Sequence, residues 1–250
     1  MRSTKKWYED SKFWTTFSPF LFSEKQLSIA EEEVNQMVTL LKVKPGAHIL
    51  DLCCGPGRHT VKLAQRGYQV TGVDNTKEFL KEAKLHAKKE KLKIEFVKED
   101  MRKFRRVNSF DGAINMFTAF GYFENPKDDK RVLRNLYLSL RKGARLVMDL
   151  MGKEVLARKF LSRNWDILED GTIHLQERKL SQNWSWIENR WILLKGNKRK
   201  DFYLAHRLYS GTELLDLLKE AGFSRVRIYG GLDGRDYNQD AKRLIAVAVK

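Results

Sequence analysis

Between residues 48 and 150 short apolar runs alternate with amphipathic stretches, and no other feature of this 250-residue chain limits its fold so tightly. "HILDLCC" reads as a buried parallel strand, and "GRHTVKLAQRG" behind it as a helix closed by Gly67. "YQVTGVD" is a second strand, with "TKEFLKEAKLHAKKE" as its following helix, and "KIEFVKED" and "FDGAINMF" are a third and a fourth strand. The helix "DDKRVLRNLYLSLRKG" leads into the fifth, "ARLVMDLM". Each parallel crossover needs a helix to cover the face of the sheet, so this alternation predicts an α/β, doubly wound parallel sheet.

The flanks read differently. Residues 7–22, "WYEDSKFWTTFSPFLF", are too aromatic for a solvated tail and predict a packed segment. A helix follows, with capping-box spacing at Ser23 and Gln26 and apolar positions at Leu27, Ala30, Val34, Met37 and Leu41, until Pro45-Gly46 stops it. Helical periodicity disappears from Arg163 to Tyr209. There "TIHLQERKL", "WSWIENRWILL" and "DFYLAHRLY" are separated by the turn signals "EDG" and "KGN", which predicts three to five inserted antiparallel strands. Trp165, Trp184, Trp186 and Trp191 are expected to form that small sheet's own core. "SGTELLDLLKEAGF" is a helix with capping-box spacing at Ser210 and Glu213 and a C-terminal Gly222, and "RVRIYGG" and "RLIAVAVK" close the chain as a strand pair.

Composition narrows the function classes. No apolar run approaches the roughly 18 residues of a membrane span, and "MRSTKKWYED" lacks the apolar stretch of a signal peptide. The two cysteines are neighbours, which excludes a disulfide framework and points to a reducing, cytoplasmic setting. The net charge of +16 gathers between Lys77 and Arg106 and in "KGNKRK" at 195–200. Glutamates interleave these basic residues and no RNA or DNA module accompanies them, so a solvated exterior is favoured over nucleic-acid binding.

Asp51 closes the first strand, and Gly55 and Gly57 permit a tight turn whose backbone can approach a ligand before the helix begins near Arg58. The second strand ends at Asp74, placed to accept both hydroxyls of a ribose, and the third runs out at Glu99-Asp100-Met101. Carboxylates at three successive strand ends would repel a pyrophosphate and suit a ligand of little negative charge. A dinucleotide fingerprint would also need a third glycine where Thr60 stands.

"ILDLCCGPGRHT", "GYQVTGVDNT", "VKEDMRKF" and "FDGAINMFTAFGYF" resemble, in order and spacing, the binding motifs of class I S-adenosylmethionine-dependent methyltransferases. The closing "AGFSRVRIYGG" and "RLIAVAVK" are similar to that family's reversed final hairpin. The resemblance implies a Rossmann-like, doubly wound seven-stranded sheet with a reversed C-terminal hairpin, plus the small inserted antiparallel β subdomain. Its units would be an aromatic N-terminal lid at 1–22, a methyltransferase domain at 23–160 and 208–250, and an antiparallel cap at 161–207.

The same resemblance implies roles by position. Asp51 orders the loop near the methionine amino end, and backbone groups of Cys53, Gly55 and Gly57 line the methionine portion. Asp74 takes the ribose hydroxyls with Asn75 beside the adenine, Asp100 accepts from the adenine amino group, and the Met101 amide faces a ring nitrogen. Asn115 contributes backbone at the methionine amino group. The family often has glycine where Cys53 stands, and a small side chain there need not block the cofactor.

Cys53, Cys54 and His59 invite a zinc reading, but a structural site needs four ligands and no second cysteine pair exists, so no metal is expected. Tyr122, His206, Arg207 and Tyr209 are candidates for orienting or deprotonating an acceptor. Tyr8, Trp14, Tyr122, Asp233 and Tyr237 are candidates for the acceptor pocket. Methyl transfer from a sulfonium is an in-line displacement that needs alignment, a dry site and at most one base. "MFTAFGY" after Asn115 lacks the Asn-Pro-Pro-aromatic signature of nucleic-acid amino methylators, which favours a small-molecule acceptor reacting at nitrogen or oxygen. The alternatives are an RNA-modifying methyltransferase, for which the charge speaks, and a protein that holds the cofactor without catalysis. Oligomeric state is not legible.

Overall fold

The computed structural model describes residues 6–168 and 170–250. Residues 1–5 of the expected lid and residue 169 of the expected turn lie outside the described residues. After a 3-10 turn at Trp7–Glu9 come the helices α1 (Ser11–Leu21), α2 (Glu24–Ser28) and α3 (Ala30–Leu41). The alternating core is β1 (His48–Leu52), α4 (Arg58–Gln65), β2 (Gln69–Asp74), α5 (Lys77–Lys89), β3 (Glu95–Lys98), β4 (Phe110–Asn115), α6 (Pro126–Ser139) and β5 (Leu140–Leu150). A short α7 (Lys153–Lys159), not foreseen, precedes β6 (Arg163–Ile167), β7 (Ile173–Ser181), β8 (Trp186–Lys195) and β9 (Lys198–Arg207). The chain closes with α8 (Gly211–Glu220), β10 (Arg225–Tyr229) and β11 (Leu244–Val249).

The seven-stranded sheet runs β10-β11-β5-β4-β1-β2-β3. β1 pairs in parallel with both β2 and β4, so the winding reverses beside β1 and opens a crevice at the strand ends. β11 lies antiparallel to β5 and to β10, the expected reversed hairpin. Strand alternation divides the core. Leu50, Phe110, Leu146 and Met148 face one side with Leu133 and Leu214, while Ile49, Ile114, Val147 and Ile245 face the other with Val34 and Met37.

Three local expectations are corrected. The helix expected to follow Ser23 breaks at Ile29, and Ser23 makes no side-chain cap. The Arg58 guanidinium accounts for both changes. It takes the Gln26 carbonyl at 3.0 Å, which a continuous helix would use, and holds the Gln26 side chain away from Ser23. β1 ends at Leu52, and Cys53, at φ +65°, turns the chain out of the strand. "RKG" at 141–143 belongs to β5 rather than α6, with Gly143 at φ +81° in the bend.

β6 to β9 form a separate antiparallel sheet in sequence order, four strands within the expected three to five. Its root is fastened where the Arg207 N–H donates to the Gly121 carbonyl at 2.6 Å. A side chain at Gly121, whose φ is +91°, would stand 2.7 Å from the Arg207 carbonyl, so the close approach requires glycine. α1 packs on the inner face of this sheet through Phe13 and Phe17, which meet Leu204, Trp191 and Phe202. Trp7 adds a hydrogen bond from Nε1 to the Ala205 carbonyl at 2.8 Å. The four tryptophans of the insertion do not form one core. Trp186 is buried and Trp191 faces α1, whereas Trp165 and Trp184 are 62% and 41% exposed.

Candidate active site

The ends of β1, β2, β3 and β4 open onto one cavity of about 590 Å³, bounded opposite by α1 and the inner face of the inserted sheet. Asp51 is buried at the end of β1, where Oδ2 accepts from Thr60 Oγ1 at 2.6 Å. Burial pushes its pKa up, against the pull of His59 and Thr60. At the end of β2, Asp74 Oδ2 accepts the Gly55 N–H at 2.9 Å and Oδ1 the Thr76 N–H at 2.8 Å. The carboxylate of the second strand therefore holds the glycine turn of the first, and each oxygen keeps a lone pair for a ligand hydroxyl. Past β3, Asp100 is clasped by Arg102. Burial pushes the carboxyl up, but the hydrogen bonds and charge of Arg102 outweigh it and hold the pKa below the usual range.

Burial pushes the Cys53 thiol well up, and the charges of Asp74, Asp51 and Asp100 add to it; burial raises Cys54 in the same way. Neither is a thiolate at neutral pH. Cys53 Sγ donates to Met101 Sδ at 3.6 Å. Cys54 Sγ fills the space over Gly72, 3.0 Å from where a Cβ would stand.

The floor beside the loop is cationic. Arg58 and His59 donate to the same Glu33 oxygen at 2.7 and 2.8 Å. Phe117 sits between the guanidinium groups of Arg58 and Arg243, 5.3 and 5.7 Å from its ring centre. Arg243 pairs with the buried Asp149, which also accepts the Phe117 N–H at 3.2 Å.

Opposite the strand ends, Tyr122 packs against Trp7, Tyr8 and Trp14 with ring centres 4.7, 6.3 and 6.2 Å apart. Burial drives the Tyr122 phenol pKa far up, so it stays protonated. Register on the inserted sheet sets Arg178 opposite Asn189 and Asn189 opposite Leu204, with Ile187 opposite His206 further along the same face. His206 lines the cavity and burial pushes its pKa down to about 4, leaving a neutral imidazole.

Of the residues expected from the sequence, Asp51, Cys53, Gly55, Asp74, Asn75, Asp100 and Met101 line the cavity on one side, and Tyr8, Trp14, Tyr122 and His206 on the other. The remainder lie elsewhere. Gly57, at φ +87°, shapes the turn from behind, where a Cβ would meet that of Ala83 at 3.0 Å. Asn115 is fully buried beneath the loop and donates to the Leu52 carbonyl at 3.0 Å. Arg207 faces away from the cavity because neighbouring residues of a strand point to opposite sides. Its Nε lies 3.6 Å from Asp129, whose Oδ2 accepts the Tyr209 hydroxyl at 2.7 Å. Burial lifts Asp129 to about 6, and the trio anchors the root of the insertion. Asp233 pairs with Arg235 on the surface, and Tyr237 donates to Glu154 at 2.8 Å against Gly152 and Gly211.

Arg178, Asn189, Phe117 and Arg243 line the cavity without having been singled out. Parity within "WIENRWILL" already puts Ile187 and Asn189 on one face. Arg243 carries no such signal, since only the tertiary fold brings it to Asp149.

Residues 49–143 match the family of methyltransferase domains. Over 215 residues the chain is 23% identical to the putative methyltransferase YqeM of Bacillus subtilis (strain 168), covering 81% of this chain and 83% of that protein. The fold aligns with an S-adenosylmethionine-dependent methyltransferase from Clostridium acetobutylicum ATCC 824 at a TM-score of 0.77 and 17% identity, over 95% of this chain and 97% of that one. It aligns with the sugar N-methyltransferase KedS8 from Streptoalloteichus sp ATCC 53650 at 0.69 and 20% identity, over 94% and 92% of the two chains. Residues 49–143 thus match a methyltransferase domain, and the chain shares its fold with S-adenosylmethionine-dependent methyltransferases. No helix among the described residues is long and apolar enough to cross a membrane.

Proposed function

We propose that this enzyme methylates a nitrogen or oxygen atom of a small molecule held between the strand ends and the inserted sheet. Asp74 is the ribose acceptor in this reading, with Asp100 and Asn75 at the adenine and Asp51 and the Cys53–Gly55 backbone at the methionine portion. Asp100 meets the adenine in competition with Arg102. The glycine turn and the remaining lone pairs on Asp74 fit such a ligand. Bound S-adenosylmethionine supplies an electrophilic methyl group on a sulfonium whose charge vanishes as the methyl departs.

The chain's own residues do the rest. Trp7, Tyr8 and Trp14 act as the lid, and the insertion acts as the cap that excludes water. The neutral His206 imidazole accepts the proton of an acceptor hydroxyl, which becomes acidic as its oxygen is methylated. An amine acceptor needs only the alignment.

The observation that carries this reading is the aromatic and β-sheet wall over the acceptor end of the cavity, which suits a compact substrate. The shared fold with a sugar N-methyltransferase supports it. The charge of +16 favours RNA instead. Incubating the enzyme with methyl-tritiated S-adenosylmethionine and a cell extract separates the two. Label is expected in the low-mass fraction, and label confined to RNA would overturn the proposal. With a hydroxyl acceptor so identified, His206→Gln is expected to lower kcat roughly a hundredfold at unchanged cofactor affinity. An undiminished kcat would remove His206 from the chemistry.

A further inference from the structure

Among the described residues, carboxylates line only one side of the cavity. Asp51, Asp74, Glu99 and Asp100 stand at or just past the ends of β1 to β3, with Arg58 and Arg243 nearby, whereas the wall from α7 and the inserted sheet contributes Lys159 and Arg178 and, among the described residues, no carboxylate. Arg178 has no carboxylate in ion-pair contact among the described residues. Its guanidinium is held by neutral acceptors alone, the Leu161 carbonyl at 3.2 Å and the side-chain oxygens of Asn164 and Gln176. These bonds fix the group's direction, and Asp166, the carboxylate whose charge it feels, stays beyond ion-pair distance. Beside it in register stands Asn189, 7% exposed, lining the cavity with an amide that makes no hydrogen bond among the described residues. A guanidinium aimed by neutral acceptors and an amide without a protein partner, side by side on one sheet face, form a seat for an anion, because a ligand can bond to both without breaking an ion pair.

We propose that the acceptor carries an acidic group, carboxylate or phosphate, that Arg178 and Asn189 hold on the inner face of the inserted sheet while its reacting atom lies toward His206. The proposal rests on the small-molecule reading of the site. His206 is the diagonal neighbour of Asn189, and such pairs stand about 7–8 Å apart, roughly the length of a substituted ring. Leu204, Ile187 and Trp191 flank the seat and suit an apolar body between the acid and the reacting atom. Lys159 at the rim adds attraction for an anion approaching from solvent.

The test is a ligand-observed NMR titration of the full chain loaded with S-adenosylhomocysteine. The probes are 4-hydroxyphenylacetate, its primary amide and 4-hydroxyphenyl phosphate. One acid is expected to bind roughly tenfold tighter than the amide, and which acid does so tells carboxylate from phosphate. Arg178→Met is expected to erase that preference, and Asn189→Leu, which breaks no hydrogen bond of the fold, to reduce it. Equal binding of acids and amide, no saturable binding of either acid, or a preference that survives in a folded Arg178→Met protein would each overturn the proposal. The titration is repeated without S-adenosylhomocysteine. Failure of that ligand to bind would sink the methyltransferase reading, while the acid preference is still read on the free protein.

Discussion

Asp74→Ala is expected to lose affinity for S-adenosylmethionine by about 3 kcal/mol, roughly a hundredfold in Kd. The size of the effect comes from two simultaneous jobs. In the proposed reading the carboxylate offers lone pairs to a ribose, and it also closes the glycine turn by accepting the N–H groups of Gly55 and Thr76. Alanine removes the ligand contact and leaves both N–H groups without their partner, so the turn is no longer held open in advance. Folding should change far less, because the buried carboxylate is itself costly and burial already raises its pKa. Calorimetric titration of wild type and variant beside their thermal melts reads both quantities. Binding within about threefold of wild type would show that Asp74 is not the ribose acceptor.

Acid should loosen the contact between α1 and the inserted sheet before it unfolds the rest. His174 is fully buried, and neither ring nitrogen has a hydrogen-bond partner among the described residues. Phe20, Trp191 and Phe17 surround it with ring centres at 4.9, 5.2 and 5.6 Å. Burial pushes its pKa down from 6.5 to about 4, with Asp166 pulling it up and Arg178 pushing it down. A histidine whose folded pKa is depressed binds its proton more readily when unfolded. Stability is therefore complete above about pH 6.5 and falls by about 3 kcal/mol on descent to pH 4. His174→Phe fits the aromatic surroundings and should flatten that part of the pH–stability curve. His206 shares the low pKa, but it borders the cavity, where water softens its contribution. Melts of wild type and His174→Phe between pH 4 and 7 with indistinguishable slopes would defeat the prediction.

What the sequence discloses about this molecule follows from the range of the forces involved. Strands and helices of the core are legible because period-2 and period-3.6 patterns are local, and the capping box at Ser210 forms because both partners lie within one turn. The corresponding spacing at Ser23 fails because Arg58, 32 residues from Gln26, competes for the same groups. Strand-end acids are legible because a parallel sheet delivers every C-terminus to one edge, which places Asp51, Asp74 and Asp100 around one cavity. The opposite wall of the cavity is harder to read. Which face of β9 looks inward depends on how β7, β8 and β9 register, and a shift of one residue would exchange His206 for Arg207. The loop from Gly230 to Gly234 resembles a ligand turn in composition, yet Asp233 spends its charge on Arg235 at the surface.

The aromatic packing of the N-terminal segment has an optical consequence. Trp7 and Trp14 lie with ring centres 5.5 Å apart at an interplanar angle of 44°, against Tyr122 and in the wall of the cavity at the strand ends. Indoles this close and this oblique share their excited states, so the pair carries a chiral near-ultraviolet signature that depends on their mutual angle. Trp165 and Trp184, exposed to water, contribute no comparable coupling. The protein thus contains its own spectroscopic gauge of how the N-terminal segment is seated, readable without label and indifferent to whether any methyl group is transferred.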